Sequence, residues 1–513
     1  MQSETTSTQD PTLPAKDSPS PATVARQQTT GGLAGGKLGV FDIVFFVVSA
    51  AAPLTVAVSS APLAFLVGGI GAPGAMLASG VVLILFAIGF TAMSRFVRNT
   101  GAFYAYAAAG LGKPVGVGVA FITIVAYAFL CICFYALLGF YANLTFTHLF
   151  GVNLPWGLWS VVAVLVVGFL GYRRIDVGAK VLAVLLTAEI TILLVISLAI
   201  LAQHGAGIPA ATAASFDPRA VFFAAGSGAL FVFGFGAFLG FEGTVIYAEE
   251  AKKPERTVPR ATYIAIAFLA VFYSFTFWAL TVAFGADGVL ALANSADYEE
   301  MMFIAGNNAL GAWAGVVMQI LIVTSFFASV LAFHNACARY IFSLGRERLL
   351  PKAFARTHPR MSSPHIASIS LTVLSVVAII VAAALGSDPF LGVGLWSYAI
   401  GVAGLVFSQG VAAVSVIGFF WKDRRGYGVW RVVVAPILGA AGLLSAFVLI
   451  VTHFDLVSGV EGPVNWLMIA CVPIVFGAGI VVGLVMRRRA PERYAALTQS
   501  VKIVTRTPEE EPR

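Results

Sequence analysis

The chain has 513 residues, of which 59% are hydrophobic and only 11% charged. A soluble domain carries about a quarter charged residues, so this composition excludes a soluble globule and defines an all-α polytopic membrane protein, with room for about twelve spans of about 20 residues each. A formal net charge of +7 would suggest nucleic acid in a soluble protein; here the distribution of Lys and Arg between loops accounts for it, and no nucleic-acid partner is expected.

Residues 1–36 are rich in Ser, Thr, Pro, Gln and Gly and read as a disordered cytoplasmic tail. No cleavable signal peptide opens the chain. Apolar runs of spanning length follow at about 39–66, 74–94, 115–145, 156–172, 177–202, 221–247, 261–284, 312–343, 366–386, 391–421, 430–452 and 464–486. The four cysteines, Cys131, Cys133, Cys337 and Cys471, lie within or beside these runs, so no secreted disulfide framework is indicated. With the N-terminal tail placed inside, the inner segments hold 30 of the 31 Lys and Arg residues, and only Arg219 falls outside. That alternation follows the positive-inside rule and predicts a multi-pass plasma-membrane protein with both termini cytoplasmic, the C-terminal tail being 487–513. A long outer loop carries Asp287, Asp297, Glu299 and Glu300 without a basic residue.

Two runs look internally broken. The first reads "VVSAAAPLTVAVSSAP", where Pro53 has no N–H and clashes with the carbonyl four residues back. The sixth contains "FGFGAFLGFEG", Phe233 to Gly243, with four glycines beside Glu242. The first run starts inside and the sixth outside. Matching breaks in oppositely oriented halves point to an inverted-repeat transporter with a midplane site: a transporter domain over 37–486, with 37–203 as first repeat, 217–421 as second, and two further helices over 430–486.

Three acidic residues fall within the apolar runs. Asp42, near the start of the first, fits a helix-start residue. Glu189, in "LLTAEITILL", is either a coupling-ion site or a hydrogen-bonded strut between helices. Glu242 adjoins glycines that let backbone and ligand approach closely, although Gly236 and Gly240 also form one G-x-x-x-G packing element. Phe235, Phe238 and Phe241 interleave with these glycines and fit an amine ligand or plain packing. His334 reads as a packing or hydrogen-bonding residue rather than a proton relay. There is no metal-ligand spacing, Walker motif or G-x-S-x-G, so neither enzyme activity nor a cofactor or metal is expected.

The stretch "GFEGTVIYAEEAKKPERTVPRA", residues 240–261, resembles the amino acid–polyamine–organocation (APC) transporter family, with its G-F-E at a broken sixth helix followed by an acidic pair and a basic run. Residues 94–116, "SRFVRNTGAFYAYAAAGLGKPVG", and 338–367, "ARYIFSLGRERLLPKAFARTHPRMSSPHIA", are similar to that family's loops after helices two and eight. The resemblance covers about 37–486. It implies the leucine-transporter-type fold, a 5+5 inverted repeat with helices one and six broken, and secondary transport of an amino acid or related amine, proton-coupled or by exchange. It places a substrate carboxylate at the first break, over Ser49, Ala52, Pro53, Leu54 and Thr55, and an amino group at Phe238, Leu239 and Gly240. Glu242 matches the family's gating or coupling carboxylate. Two departures stand out: Pro53-Leu54-Thr55 replaces a G-x-G element, and Gly236 stands where some relatives have a gating tryptophan, a role left to Phe235 or Phe238.

These features together predict a proton-coupled importer in which Phe235 or Phe238 covers the substrate and helices one, two, six and seven rock against the rest. Protonation of Glu189 or Glu242 would bias one state. Thr324, Ser325 and Ser329 on the eighth run form an alternative sodium site with helix-one carbonyls. An exchanger is the second expectation; a channel or a membrane enzyme predicts neither break.

Overall fold

The computed structural model describes residues 38–98, 102–173, 179–246, 251–361, 363–460, 462–498 and 502–503. The tail expected over 1–36, the acidic pair Glu249–Glu250 and residues 504–513 lie outside them. The described chain is helical almost throughout.

Helix α1 comes in pieces: Val40–Ala51, then Pro53–Thr55, a π-helical turn over Val56–Ser60, and Ala61–Gly68. The interruption is local chemistry. Ala52 adopts a left-handed φ of 44° and Pro53 opens the next piece, where its missing N–H is no loss. A left-handed alanine costs on the order of 1–2 kcal/mol, so the surroundings must hold it. The Tyr273 hydroxyl does so in part by donating to the Ala51 carbonyl at 3.2 Å, and Ser59 Oγ donates back to the Thr55 carbonyl at 2.7 Å beside the π turn. Asp42 accepts from the Gly39 N–H at 2.7 Å in the first turn, which is a helix-start role.

The chain continues through α2 (Ala72–Ser94), α3 (Lys113–Phe150), α4 (Trp156–Arg173) and α5 (Ala179–Gln203). Helix α6 is again divided, into Ser227–Gly236 and Gly243–Ile246. Between the pieces the backbone turns through three-residue hydrogen bonds such as Leu239 N–H to the Gly236 carbonyl, and Gly240 takes φ +100°. Then come α7 (Pro254–Phe284), α8 (Ala312–Arg346), α9 (His365–Ala384), α10 (Val393–Phe420), α11 (Ala435–Thr452, entered through a π turn at Trp430–Val434) and α12 (Pro463–Arg489).

Among the described residues, ten helical stretches are long and apolar enough to cross a membrane. The expected twelve differ from these ten in two places: α1 and α2 form one stretch, Val40–Ser94, and the break leaves α6 with a ten-residue apolar piece. Helices α3 and α10 pack on each other and run through the centre, α7 packs on α2, and α12 lies on α3 at the edge. Large apolar side chains such as Val184, Leu198, Val377, Ile380, Trp466 and Ile474 face outward. So large an apolar exterior suits lipid rather than water.

The segment after α12 folds back over the loop face. Lys113 Nζ donates to the carbonyls of Tyr494 and Ala495 at 3.0 and 2.9 Å. Glu347 Oε2 accepts from the Thr498 N–H at 2.7 Å, and Lys502–Ile503 pairs antiparallel with Val97–Arg98.

Candidate functional site

The two helix breaks meet. A Cβ built on Gly240 would lie 2.9 Å from the Ala50 Cβ, so α1 and α6 touch there through a residue without a side chain. The left-handed φ and this close approach both require glycine. Gly240→Ala should therefore cost about 1–3 kcal/mol, read as a lower melting temperature of the purified protein; an unchanged value would show that the breaks are loosely packed.

Beside the breaks lies a cavity of about 40 Å³. Its polar atoms come mostly from hydroxyls: Thr55, Ser59 and Ser60 on α1, Ser329 on α8 and Tyr398 on α10. The ends of the first pieces of both broken helices reach it through Ala50, Ala51 and Gly236. The rest is apolar, including Leu63, Phe134, Leu137, Phe233, Phe390 and Leu395, and no charged side chain lines it. Gly236 is needed for Tyr398 to enter: a Cβ there would run into the Tyr398 hydroxyl and ring. Tyr398 stacks on Phe233 with centroids 5.8 Å apart.

Glu189 sits behind this wall, 3% exposed. Its Oε2 accepts from Ser325 Oγ at 2.8 Å, whose oxygen in turn accepts from Thr55 Oγ1 at 3.1 Å. The Leu54 backbone N–H also reaches the carboxylate. A carboxylate of α5 thus fastens the first break to α8. Ser329 Oγ donates weakly to the Ala50 carbonyl at 3.4 Å. Thr324 turns its hydroxyl to the Leu321 carbonyl of its own helix at 2.9 Å, away from Glu189.

Glu242 is 1% exposed and holds the α6 break to α3. Tyr127 donates to its Oε1 at 2.7 Å and the Gly240 N–H to its Oε2 at 3.1 Å. It lines a second cavity of about 100 Å³ with Tyr127, Gly240, Asn335 and Arg339. Ala50 and Phe333 line both cavities.

Of the residues singled out in the sequence, Thr55, Leu239 and Ser329 stand in the first cavity's wall and Gly240 and Glu242 in the second's. Ser49 is half-buried, and its hydroxyl oxygen is buried and unpartnered. Ala52, Pro53 and Leu54 form the turn itself. Phe235 packs near Phe231 and Phe238 near Tyr273, at centroid distances of 6.2 Å in both pairs; Phe241 packs edge-on to Phe86. The rings in the wall are instead Phe134, Phe233, Phe333, Phe390 and Tyr398. Sequence reasoning missed Tyr398, Tyr127 and Phe333; the only signal was Gly236, whose lack of bulk leaves room for a ring from another helix. His334 is buried, 3.3 Å from the Tyr135 hydroxyl and 2.9 Å from Ser368 Oγ, and ties α3, α8 and α9 together.

Divided helices that frame a cavity, inside a shell of lipid-facing apolar helices, define a membrane transporter. The family model described as amino acid permease matches residues 42–494, and the chain belongs to that family. An uncharacterized transporter of Mycobacterium tuberculosis is 26% identical over 352 residues, 68% of this chain and 74% of its own length. The low-affinity putrescine importer PlaP of Escherichia coli K12 is 25% identical over 191 residues, 37% of this chain and 39% of its own. The branched-chain amino acid permease BcaP of Bacillus subtilis is 24% identical over 134 residues, 26% of this chain and 28% of its own.

Proposed function

We propose that this multi-pass membrane transporter imports an amino acid or a related amine across the plasma membrane by proton-coupled alternating access. The observation that carries the proposal is the pair of broken helices meeting at Gly240 and Ala50, beside a cavity lined by no charged side chain among the described residues, with a buried carboxylate fastened to the first break. In this reading the chain crosses the membrane twelve times with both termini inside, as the Lys and Arg distribution supports. Residues 37–203 and 217–421 form the inverted halves, and 430–486 the last two helices. Substrate occupies the cavity beside Thr55, Ser329 and Leu239, with the freed groups of the α1 turn from Ser49 to Thr55 and of the α6 turn from Phe238 to Gly240 close by. Phe235 and Phe238 act by holding the α6 turn.

Alternating access then needs the wall at Phe333 to open toward the cavity holding Glu242 and Arg339. Coupling needs a group whose protonation favours one state over the other. Glu189 supplies it, because proton binding weakens its hold on Ser325 and the α1 turn and so links charge directly to the break. Glu242 stiffens the α6 turn through Tyr127. Protons are taken as the coupling ion because Glu189, the buried carboxylate at the break, can itself bind and release one; Ser325 and Ser329, which both hydrogen-bond to α1 there, are the hydroxyls that a sodium ion would use instead.

The test is uptake into proteoliposomes with labelled amino acids and polyamines, with and without an inside-alkaline pH gradient. Accumulation that requires the gradient is expected; no accumulation or exchange of any candidate would overturn the proposal.

A further inference from the structure

The wall of the central cavity narrows the substrate class, on the assumption that this cavity is the transport site proposed above. We infer that the substrate is a net-neutral α-amino acid with an apolar side chain, and that diamines, polyamines and amino acids with ionised side chains are excluded. The argument is one of charge and its partners. A buried ammonium or carboxylate without a counter-charge or a full set of hydrogen bonds is strongly disfavoured. A putrescine or lysine molecule brings two positive ends, so each needs an acceptor-rich place. The cavity offers only neutral polar groups: the ends of the broken helices at Ala50, Ala51 and Gly236, and the hydroxyls of Ser59 and Ser329. The hydroxyls of Thr55, Ser60 and Tyr398 share the same wall.

Neither buried carboxylate is available for a second charge. Glu189 is turned to Ser325 and Leu54, and Glu242 is turned to Tyr127 and Gly240 in the other cavity. Arg339 also belongs to that other cavity, and no basic side chain among the described residues lines this one, so an acidic side chain finds no partner either. What remains for the part of the substrate beyond its head group is Leu63, Phe134, Leu137, Phe390 and Leu395. Such a wall rewards burial of CH₂ groups and aromatic faces.

The experiment is competition against labelled leucine exchange by the full-length protein in proteoliposomes, with unlabelled leucine, phenylalanine, lysine, glutamate and putrescine. Leucine and phenylalanine are expected to compete, and the three charged compounds to be weaker by on the order of 100-fold. Uptake of labelled lysine, glutamate or putrescine as good as that of leucine would overturn the inference while leaving the transporter proposal standing. Transport of none of the five would defeat both. A second measurement locates the side-chain end: Leu63→Ala enlarges the apolar wall and should raise the phenylalanine-to-alanine uptake ratio several-fold. That ratio is read within one preparation and so does not depend on how much protein is folded; an unchanged ratio would count against this placement.

Discussion

Glu189→Gln should abolish accumulation driven by a pH gradient while leaving substrate exchange measurable. Glutamine has the shape of the carboxylate and keeps an oxygen for Ser325, which donates to Glu189 Oε2 at 2.8 Å. It cannot carry the exchangeable proton. The Leu54 N–H and the Ser325 hydroxyl both point at this group, and hydrogen bonds to a charged acceptor contribute about 1.5–3 kcal/mol. Weakening them at one stage of the cycle and restoring them at another is differential binding of the kind that coupling requires. In proteoliposomes the loss of concentrative uptake should be at least tenfold, with exchange reduced less. Loss of both would make Glu189 a strut between α5, α1 and α8. Retention of both, with full pH dependence, would move the coupling role to Glu242, to be tried next as Glu242→Gln.

Gly236→Val should remove substrate binding without unfolding the protein. A Cβ at this position meets the Tyr398 hydroxyl and stands 2.6 Å from its Cζ, and Tyr398 is braced by stacking on Phe233. Valine therefore drives the ring into the cavity or out of its stack. Overpacking of this kind costs about 1–3 kcal/mol, and binding should weaken more than tenfold because the displaced volume is the substrate's own. The check is a double-mutant cycle. Tyr398→Ala alone should weaken binding by loss of the wall, whereas Gly236→Val combined with Tyr398→Ala should be less damaging than the sum of the two. Strict additivity would show that the glycine and the tyrosine act separately, and that Gly236 serves only helix packing.

The parts of this architecture that were legible in the sequence are those governed by local or additive terms. A membrane span is a sum of per-residue transfer energies, so the apolar runs foreshadow the long helices within a few residues. A helix break is a property of the residues that make it, and Pro53 and the glycines of the sixth run mark both interruptions. The side-chain partners were not legible. Tyr127 and Glu242 are 115 residues apart, and Ser325 and Glu189 are 136 apart. In a soluble helix the polar face shows which side looks inward; here that signal is absent. The apolar 18-residue stretches of helices α3 and α12 have the same mean hydropathy, 2.6, yet 78% of the one is buried and only 22% of the other. Lipid tails and protein interior are equally apolar, so hydropathy cannot tell them apart.

The aromatic wall of the cavity shows the same division. Phe235 and Phe238 were the natural candidates because they neighbour the glycines in the chain. Among the rings that reach the cavity instead are Phe233, from the intact part of α6, and Tyr398, from α10. Helical phase at the break decides the first, and the packing of α10 against α6 decides the second. By itself, then, the amino-acid order determined the membrane class, the run of apolar helices and the two places where helices part, because each depends on transfer energy or backbone chemistry within a few residues. Only the tertiary structure decided that the breaks meet at Gly240, that Glu189 is fastened to the first of them, and that the cavity between them is uncharged, because those depend on which faces of equally apolar helices touch.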